Sequence, residues 1–423
     1  MADRPPPRPE PPGVPARRAA LRLLDAVLRR GDPLEGALGG AARGLEERDR
    51  GLAHALAAEA LRRLPDLDAL IDGATRQRLP DDAKARSVLR LALVQALALG
   101  TPPHAAIATV LPLVDGGPRK LVHGVFGAVM RAGARLPDLP TLPGDTAARW
   151  AAAWGEEAVA AARHAFAAPP PLDLSLRDDD ALAWAERLGG RSLAPGHVRL
   201  DAAAAVPSLP GYAEGAWWVQ DLAASLPARL VGRGVGSVLD LCAAPGGKTL
   251  QLAAAGWRVT AVDASESRLA RLSDNLARTT LVAELVRADL RVWSPSAPAE
   301  AVLLDAPCSA SGIFRRHPDV LHRIRPGAVA ELAALQAELL ARAADWVAPA
   351  GVLVYATCSL EPAEGEEQLR RFLAARPDYV IEPPRPGELP VAAAPEGWVR
   401  TVPGTLAADG GCDGFFVARL RRR

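Results

Sequence analysis

From about residue 236 the chain alternates short Val- and Leu-rich runs with helical segments: "SVLDLC", "RVTAVD", "AELVRAD", "AVLLDAP" and "GVLVYATCS". Helical patterns follow the first, second, fourth and fifth of these runs. Brief apolar runs separated by helices are strands buried on both faces of a parallel sheet, joined by crossovers. The pattern predicts a doubly wound α/β domain, in which a ligand sits beyond the carboxyl ends of the strands.

The preceding sequence has a different period. Between residues 16 and 135, "ARRAALRLLDAVLRR" sets Ala20, Leu21, Leu24, Val27 and Leu28 on one helical stripe. "ARSVLRLALVQALAL" is apolar nearly all round and is expected to be a buried central helix. Turn signals such as "RRGDP" and "LGTPP" separate six or seven helices, and no alternating pattern intervenes. The expected layout is a disordered Pro-rich tail (1–16), an all-α domain (17–137), a small α+β module (146–205) and the α/β domain (206–423). "GWVRTVP" and "CDGFFVARL" predict an antiparallel hairpin against the far sheet edge. S-adenosylmethionine-dependent methyltransferases end in this way and Rossmann dehydrogenases usually do not, a fold-level analogy.

At 423 residues the chain can bury two or three cores. It has no apolar run of the length that spans a bilayer, and "MADRPPPRPEPPGVPA" lacks the apolar core of a signal peptide, so a cytoplasmic protein is expected. A net charge of +1 makes the whole chain no electrostatic magnet for nucleic acid, although residues 1–140 carry 21 Lys and Arg against 16 Asp and Glu. Lysine is confined to Lys84, Lys120 and Lys248, which draws attention to Lys248. The four cysteines, Cys242, Cys308, Cys358 and Cys412, show neither zinc-site spacing nor a disulfide framework; free thiols and no metal are expected.

"LDLCAAPGGKTLQLA" places a tight turn between the first strand and a helix, with amides of the helix start exposed to a ligand. A phosphate loop would need glycine where Cys242 stands, which rejects nucleotide hydrolysis despite the Gly-Lys-Thr sequence. Asp263 closes the second strand, where a carboxylate accepts both hydroxyls of a ribose, and Asp289 and Asp305 end the third and fourth. Three strand-end aspartates beside a glycine turn point to a nucleoside-bearing cofactor.

Cys308 and Cys358 stand just past the fourth and fifth strands. Methylation of cytosine C5 needs such a group, because that carbon is not nucleophilic until a thiolate has added to C6. The adduct must then lose the C5 proton and expel the thiol. A free thiol, with pKa about 8.5, needs an electropositive setting, and the helix start in "EPAEGEEQLRRFL" is expected to provide one for Cys358. Spacing alone leaves open which cysteine attacks.

"CAAPGGKT", "DAPCSASGIFRRHPD" and "YATCSLEPAEGEEQ" resemble the signature segments of the Nop/Sun family of RNA cytosine-C5 methyltransferases, and the helical domain is similar to the NusB RNA-binding fold. The resemblance implies S-adenosylmethionine as cofactor, small-subunit (16S) ribosomal RNA as substrate, Cys358 as nucleophile and Cys308 in product release. It implies that Cys242, Ala243, Ala244, Pro245, Gly246, Gly247 and Lys248 wrap the methionine part of the cofactor. It further implies that Asp263 holds the ribose, Asp289 lies by the adenine, and Asp305 stands beside the reacting base and also contacts the cofactor. Lys248 would orient the target or neutralise charge, and Arg315 and Arg316 would contact RNA phosphates or the surroundings of the flipped cytidine. A monomer is expected. His123 stands where the helical family usually has Asn, and Cys412, Trp217 and Trp218 are expected to pack rather than to act. The alternatives are a tRNA cytosine-C5 methyltransferase and, from another class, a non-catalytic RNA-binding antitermination factor.

Overall fold

The computed structural model describes residues 11–201 and 205–423, and most of the expected tail lies outside them. The rest of that tail is partly helical. Helix α1 (Val14–Asp25) carries Pro15 in its first turn, where a missing N–H costs no hydrogen bond, so the expected tail boundary at 16 moves back to before Val14.

The chain forms two compact units, one from Met1–Ala148, Phe166–Ala168 and Arg316–Arg323, the other from Arg149–Ala165, Pro169–Arg315 and Ile324–Arg423. The first contains α1, α2 (Leu34–Ala41), α3 (Glu47–Arg62), α4 (Leu64–Gly73), α5 (Lys84–Leu97), α6 (Pro103–Val110) and α7 (Gly116–Arg131). Ala20, Leu24 and Val27 of the predicted stripe are buried, with Leu21 and Leu28 at its margin. Helix α5 is buried nearly all round, but two of its buried side chains are arginines. Arg86 pairs with both carboxylate oxygens of Asp72 and Arg90 with both of Asp68, which offsets the cost of burying the charges.

The second unit takes most of α8 (Gly144–Ala167), which breaks at Gly155, a residue with φ 82°. Strands β1 (Leu172–Leu176), β2 (His197–Leu200) and β3 (Trp217–Val219) form a small antiparallel sheet in the order β2-β1-β3, and α9 (Ala181–Leu188) lies between the first two in sequence. The expected module boundary at 205 falls short of this third strand. Trp217 and Trp218 are registered against Leu176 and Ser175, and both indoles are buried.

After α10 (Leu222–Val231) the chain builds the main sheet from β4 (Ser237–Leu241), β5 (Arg258–Asp263), β6 (Glu284–Arg287), β7 (Ala299–Asp305) and β8 (Val347–Thr357), all parallel. Helices α11 (Gly247–Ala254), α12 (Glu266–Thr279) and α14 (Pro326–Asp345) supply crossovers, while the short α13 (Val320–Arg323) belongs to the helical unit. Past α15 (Glu366–Ala375) come β9 (Tyr379–Ile381), β10 (Val399–Thr401) and β11 (Phe415–Arg422). The order is β10-β11-β8-β7-β4-β5-β6, with β11 antiparallel to β8, to β10 and also to the unpredicted β9. Strand order reverses between β4 and β7, where the crossovers leave in opposite directions and open a crevice beyond the strand ends.

Candidate active site

At that switch point β4 is followed by Cys242, which takes a left-handed φ of 60°, and then by a cis Ala244–Pro245 peptide. Gly246 is fixed on two counts: its φ is 109°, and a β-carbon there would come within 2.1 Å of the Leu272 side chain on α12. Asp263 at the end of β5 is buried, and its two oxygens accept from the Ala244 amide (3.1 Å) and the Ser265 amide (2.9 Å). The loop after β4 is therefore clamped to the end of β5. Arg268 of α12 adds a second tie by donating to the Ala244 carbonyl.

Lys248, in the first turn of α11, is almost fully buried and donates to Asp305 Oδ2 at 2.7 Å, with its ammonium 5.2 Å from the centre of the Phe415 ring. Burial would lower its pKa, but the charge and hydrogen bond of Asp305 outweigh this and hold it above the usual lysine range. The same ammonium interacts electrostatically with Cys358. Behind it, Asp240 on β4 is fully buried. It accepts from the Thr249 hydroxyl, while its other oxygen has no hydrogen-bond partner among the described residues. Burial pushes its pKa up to about 7, with Asp305 and Asp263 adding and Thr249 and Lys248 opposing.

The thiols of Cys308 and Cys358 lie 3.4 Å apart, although fifty residues separate them in sequence. Adjacent parallel strands explain this. Asp305 pairs with Ala356 across β7 and β8, so the two loops leave the sheet side by side. Cross-ties hold the loops together: the Gly312 amide donates to the Cys358 carbonyl, and the Leu360 amide donates to the Ser311 hydroxyl. All four cysteines are free. Cys308 is pushed well up from the usual thiol range, first by its hydrogen bond with Cys358, then by burial and by the charges of Cys358 and Glu364.

These groups open onto one cavity of about 580 Å³, lined by Cys242, Asp263, Asp289, Asp305, Cys308 and Cys358. Ala243 to Lys248 are not among its lining residues; Ala244 and Lys248 reach it through Asp263 and Asp305. Asp289 is exposed and grips Arg291, which holds its carboxyl down to about 2. Cys242 forms wall, its thiol pushed up to about 12 by burial and by Asp305, Asp263 and Asp240. Among the described residues no His, Cys, Asp and Glu cluster suits a metal ion, and no helix is long and apolar enough to cross a membrane.

Two expectations need correction, those for Arg315 and for the setting of Cys358. Arg315 does not face RNA: it is 3% exposed, and its guanidinium is held by Asp221, Asp413 and the Gly410 carbonyl. Arg316 lies in the helical unit, half-buried. Nor does a helix start supply a positive field for Cys358. The chain makes a single 3-10 turn at Pro362–Glu364 and α15 begins only at Glu366, with acidic residues in its first turn, whereas Lys248 is a cation that interacts with Cys358. The packing roles held: the Trp217 and Trp218 indoles donate to the Pro210 carbonyl and to Gln220, and Cys412 is a buried thiol that burial pushes up. His123 is exposed on α7.

Other residues escaped the sequence reading. Arg268, Leu290, Leu335 and Leu339 also line the cavity, and the two leucines of α14 give it an apolar wall. Ser309 and Ser359 follow the two cysteines and converge on Glu364. The repeated Cys-Ser dipeptide was a signal that could have found them.

Residues 232–421 match the family model described as 16S rRNA methyltransferase RsmB/F, and residues 14–135 match the NusB family. Proteins called ribosomal RNA small subunit methyltransferase B in Pseudomonas putida and Xylella fastidiosa are each 36% identical to this chain, covering 96% of it and 98% of their own length. Among solved structures, that of PH0851 has a TM-score of 0.76 at 22% identity, covering 98% of this chain and 100% of its own. The structure of NSun6 from Pyrococcus horikoshii with SFG has a TM-score of 0.56 at 18% identity, covering 66% of this chain and 98% of its own. At these identities the structural likeness establishes the fold.

Proposed function

This chain belongs to the ribosomal RNA small subunit methyltransferase B family, and from that premise we propose that it methylates C5 of a cytosine in 16S ribosomal RNA through a covalent Cys358–C6 adduct. The observation that carries the chemistry is the pair of thiols 3.4 Å apart at neighbouring strand ends, opening onto the same cavity as Asp263 and Asp305.

The cavity fits S-adenosylmethionine in its chemistry: apolar walls at Leu335 and Leu339, a strand-end carboxylate at Asp263, and about 580 Å³ of space. When bound, that cofactor supplies an electrophilic methyl group. Asp263 and Asp289 would hold its nucleoside, and the loop from Cys242 to Lys248 would flank its amino-acid part. The remaining work falls to the chain's own side chains. The target base must leave its stack to enter the cavity. The Cys358 thiolate adds to C6, which makes C5 nucleophilic. Asp305, oriented by Lys248, stands where it can meet the edge of the base and stabilise the charge that develops on addition. After transfer, the C5 proton passes to solvent water, the C5–H electron pair re-forms the C5–C6 double bond, and the C6–S bond breaks to release Cys358 as thiolate, which restores the aromatic ring. Cys308 assists this release.

Incubation of the full chain with methyl-labelled S-adenosylmethionine and either protein-free 16S RNA, small ribosomal subunits or bulk tRNA tests the reading. The expected product is 5-methylcytosine in 16S RNA. Label confined to tRNA, or found on another base, would contradict it.

A further inference from the structure

Glu364 is fully buried behind the two cysteine loops and does not line the cavity. Its carboxylate receives the Ser309 amide (2.9 Å), the hydroxyls of Ser309 and Ser359 (2.5 Å each) and the Gln336 side chain (2.9 Å). Its own backbone carbonyl accepts from the phenol of Tyr355, on β8, at 2.8 Å. A buried carboxylate persists only where its lone pairs are filled, and here the donors come from both cysteine loops. Ser309 follows Cys308 and Ser359 follows Cys358, so one side chain fixes the residue after each thiol.

We infer that Glu364 is a positioning residue that locks the two cysteine loops in register and sets the electrostatic surroundings of Cys308 beside the attacking Cys358. This rests on the covalent mechanism above. Its geometric half follows from the hydrogen bonds, since loss of a shared acceptor frees both loops at once. Its electrostatic half is smaller: the Cys358 hydrogen bond, burial and the Cys358 charge raise the Cys308 pKa, and the charge of Glu364 adds to them. The other ionisable groups facing this pair are the buried Tyr355 phenol, the Arg400–Glu366 ion pair behind it, and Lys248 on the side of Cys358. A thiol that stays protonated cannot compete for C6, and two adjacent thiolates would repel each other.

The test uses the full chain with Glu364→Gln, a substitution of equal size that removes the charge and presents an amide to the incoming donors. The expected kcat for methyl transfer falls by about 100-fold through misplaced reacting groups, while the KM for S-adenosylmethionine is unchanged. In a Cys358→Ala background, alkylation of Cys308 by iodoacetamide shifts to lower pH when Glu364→Gln is added. A purely structural role would not produce that shift. Wild-type kcat together with an unshifted alkylation profile would overturn the inference. Should Glu364→Gln fail to fold, Ser309→Ala removes one hydroxyl arm and leaves the amide arm, with an expected loss of about tenfold; full wild-type kcat in that variant would also overturn it. If the wild-type chain forms no adduct with 5-fluorocytidine RNA, the covalent mechanism fails, whereas the alkylation profile still reads the effect of Glu364 on Cys308.

Discussion

The loops after β7 and β8 each bring a Cys-Ser dipeptide to the same cavity, but they are held differently. Cys308 has a carboxylate at its back and is pressed towards the neutral thiol, and the segment that follows it ends in Arg315, sealed between Asp221 and Asp413. Cys358 is the thiol that interacts with the Lys248 ammonium. Equivalent positions on neighbouring strands thus acquire different charged neighbours from residues distant in sequence. Position in the fold supplies the proximity, and the partners supply the difference in role.

The comparison can be broken from either side. On the Cys308 side, Arg315→Met leaves Asp221 and Asp413 without their buried partner and is expected to cost about 4 kcal/mol, measured by urea denaturation. RNA affinity of the folded fraction should not change; a stable variant with weakened RNA binding would restore the RNA-contact role. On the Cys358 side, Lys248→Met removes the cation and should slow single-turnover methyl transfer by about 100-fold with the fold intact. An unchanged rate would leave Cys358 with no distinguishing partner. The smallest effect is expected at Asp240. The folded carboxyl keeps its proton to about pH 7 and an unfolded aspartate only to about pH 4, so this group lowers stability as pH rises through that window and keeps it lower above. Asp240→Asn should therefore raise the melting temperature more at pH 8 than at pH 4.5, and an equal difference at both would refute the assignment.

Much of this arrangement was legible because it is local. Five apolar runs marked five strands, and the residues at their ends, Cys242, Asp263, Asp289, Asp305, Cys308 and Cys358, all line one cavity. What escaped depends on distant partners. The burial of Arg315 rests on Asp221 and Asp413, which no local spacing connects to it. Glu364 reads in sequence as one of several solvated acids at a helix start, and only the fold turns it inward against Ser309 and Ser359. Strand β9 has three residues and no visible alternation, because its pairing with β11 defines it. The helix start expected to favour Cys358 gave way to a 3-10 turn at Pro362–Glu364, a local choice that the segment's sequence did not settle.

The central claim is that Cys358 starts the reaction and Cys308 ends it. Covalent trapping on RNA containing 5-fluorocytidine, resolved on a denaturing gel, tests this most directly with Cys358→Ala and Cys308→Ala side by side. The account predicts no covalent complex with Cys358→Ala, and with Cys308→Ala a complex that accumulates even on unmodified RNA. A complex that survives Cys358→Ala and disappears with Cys308→Ala would contradict it.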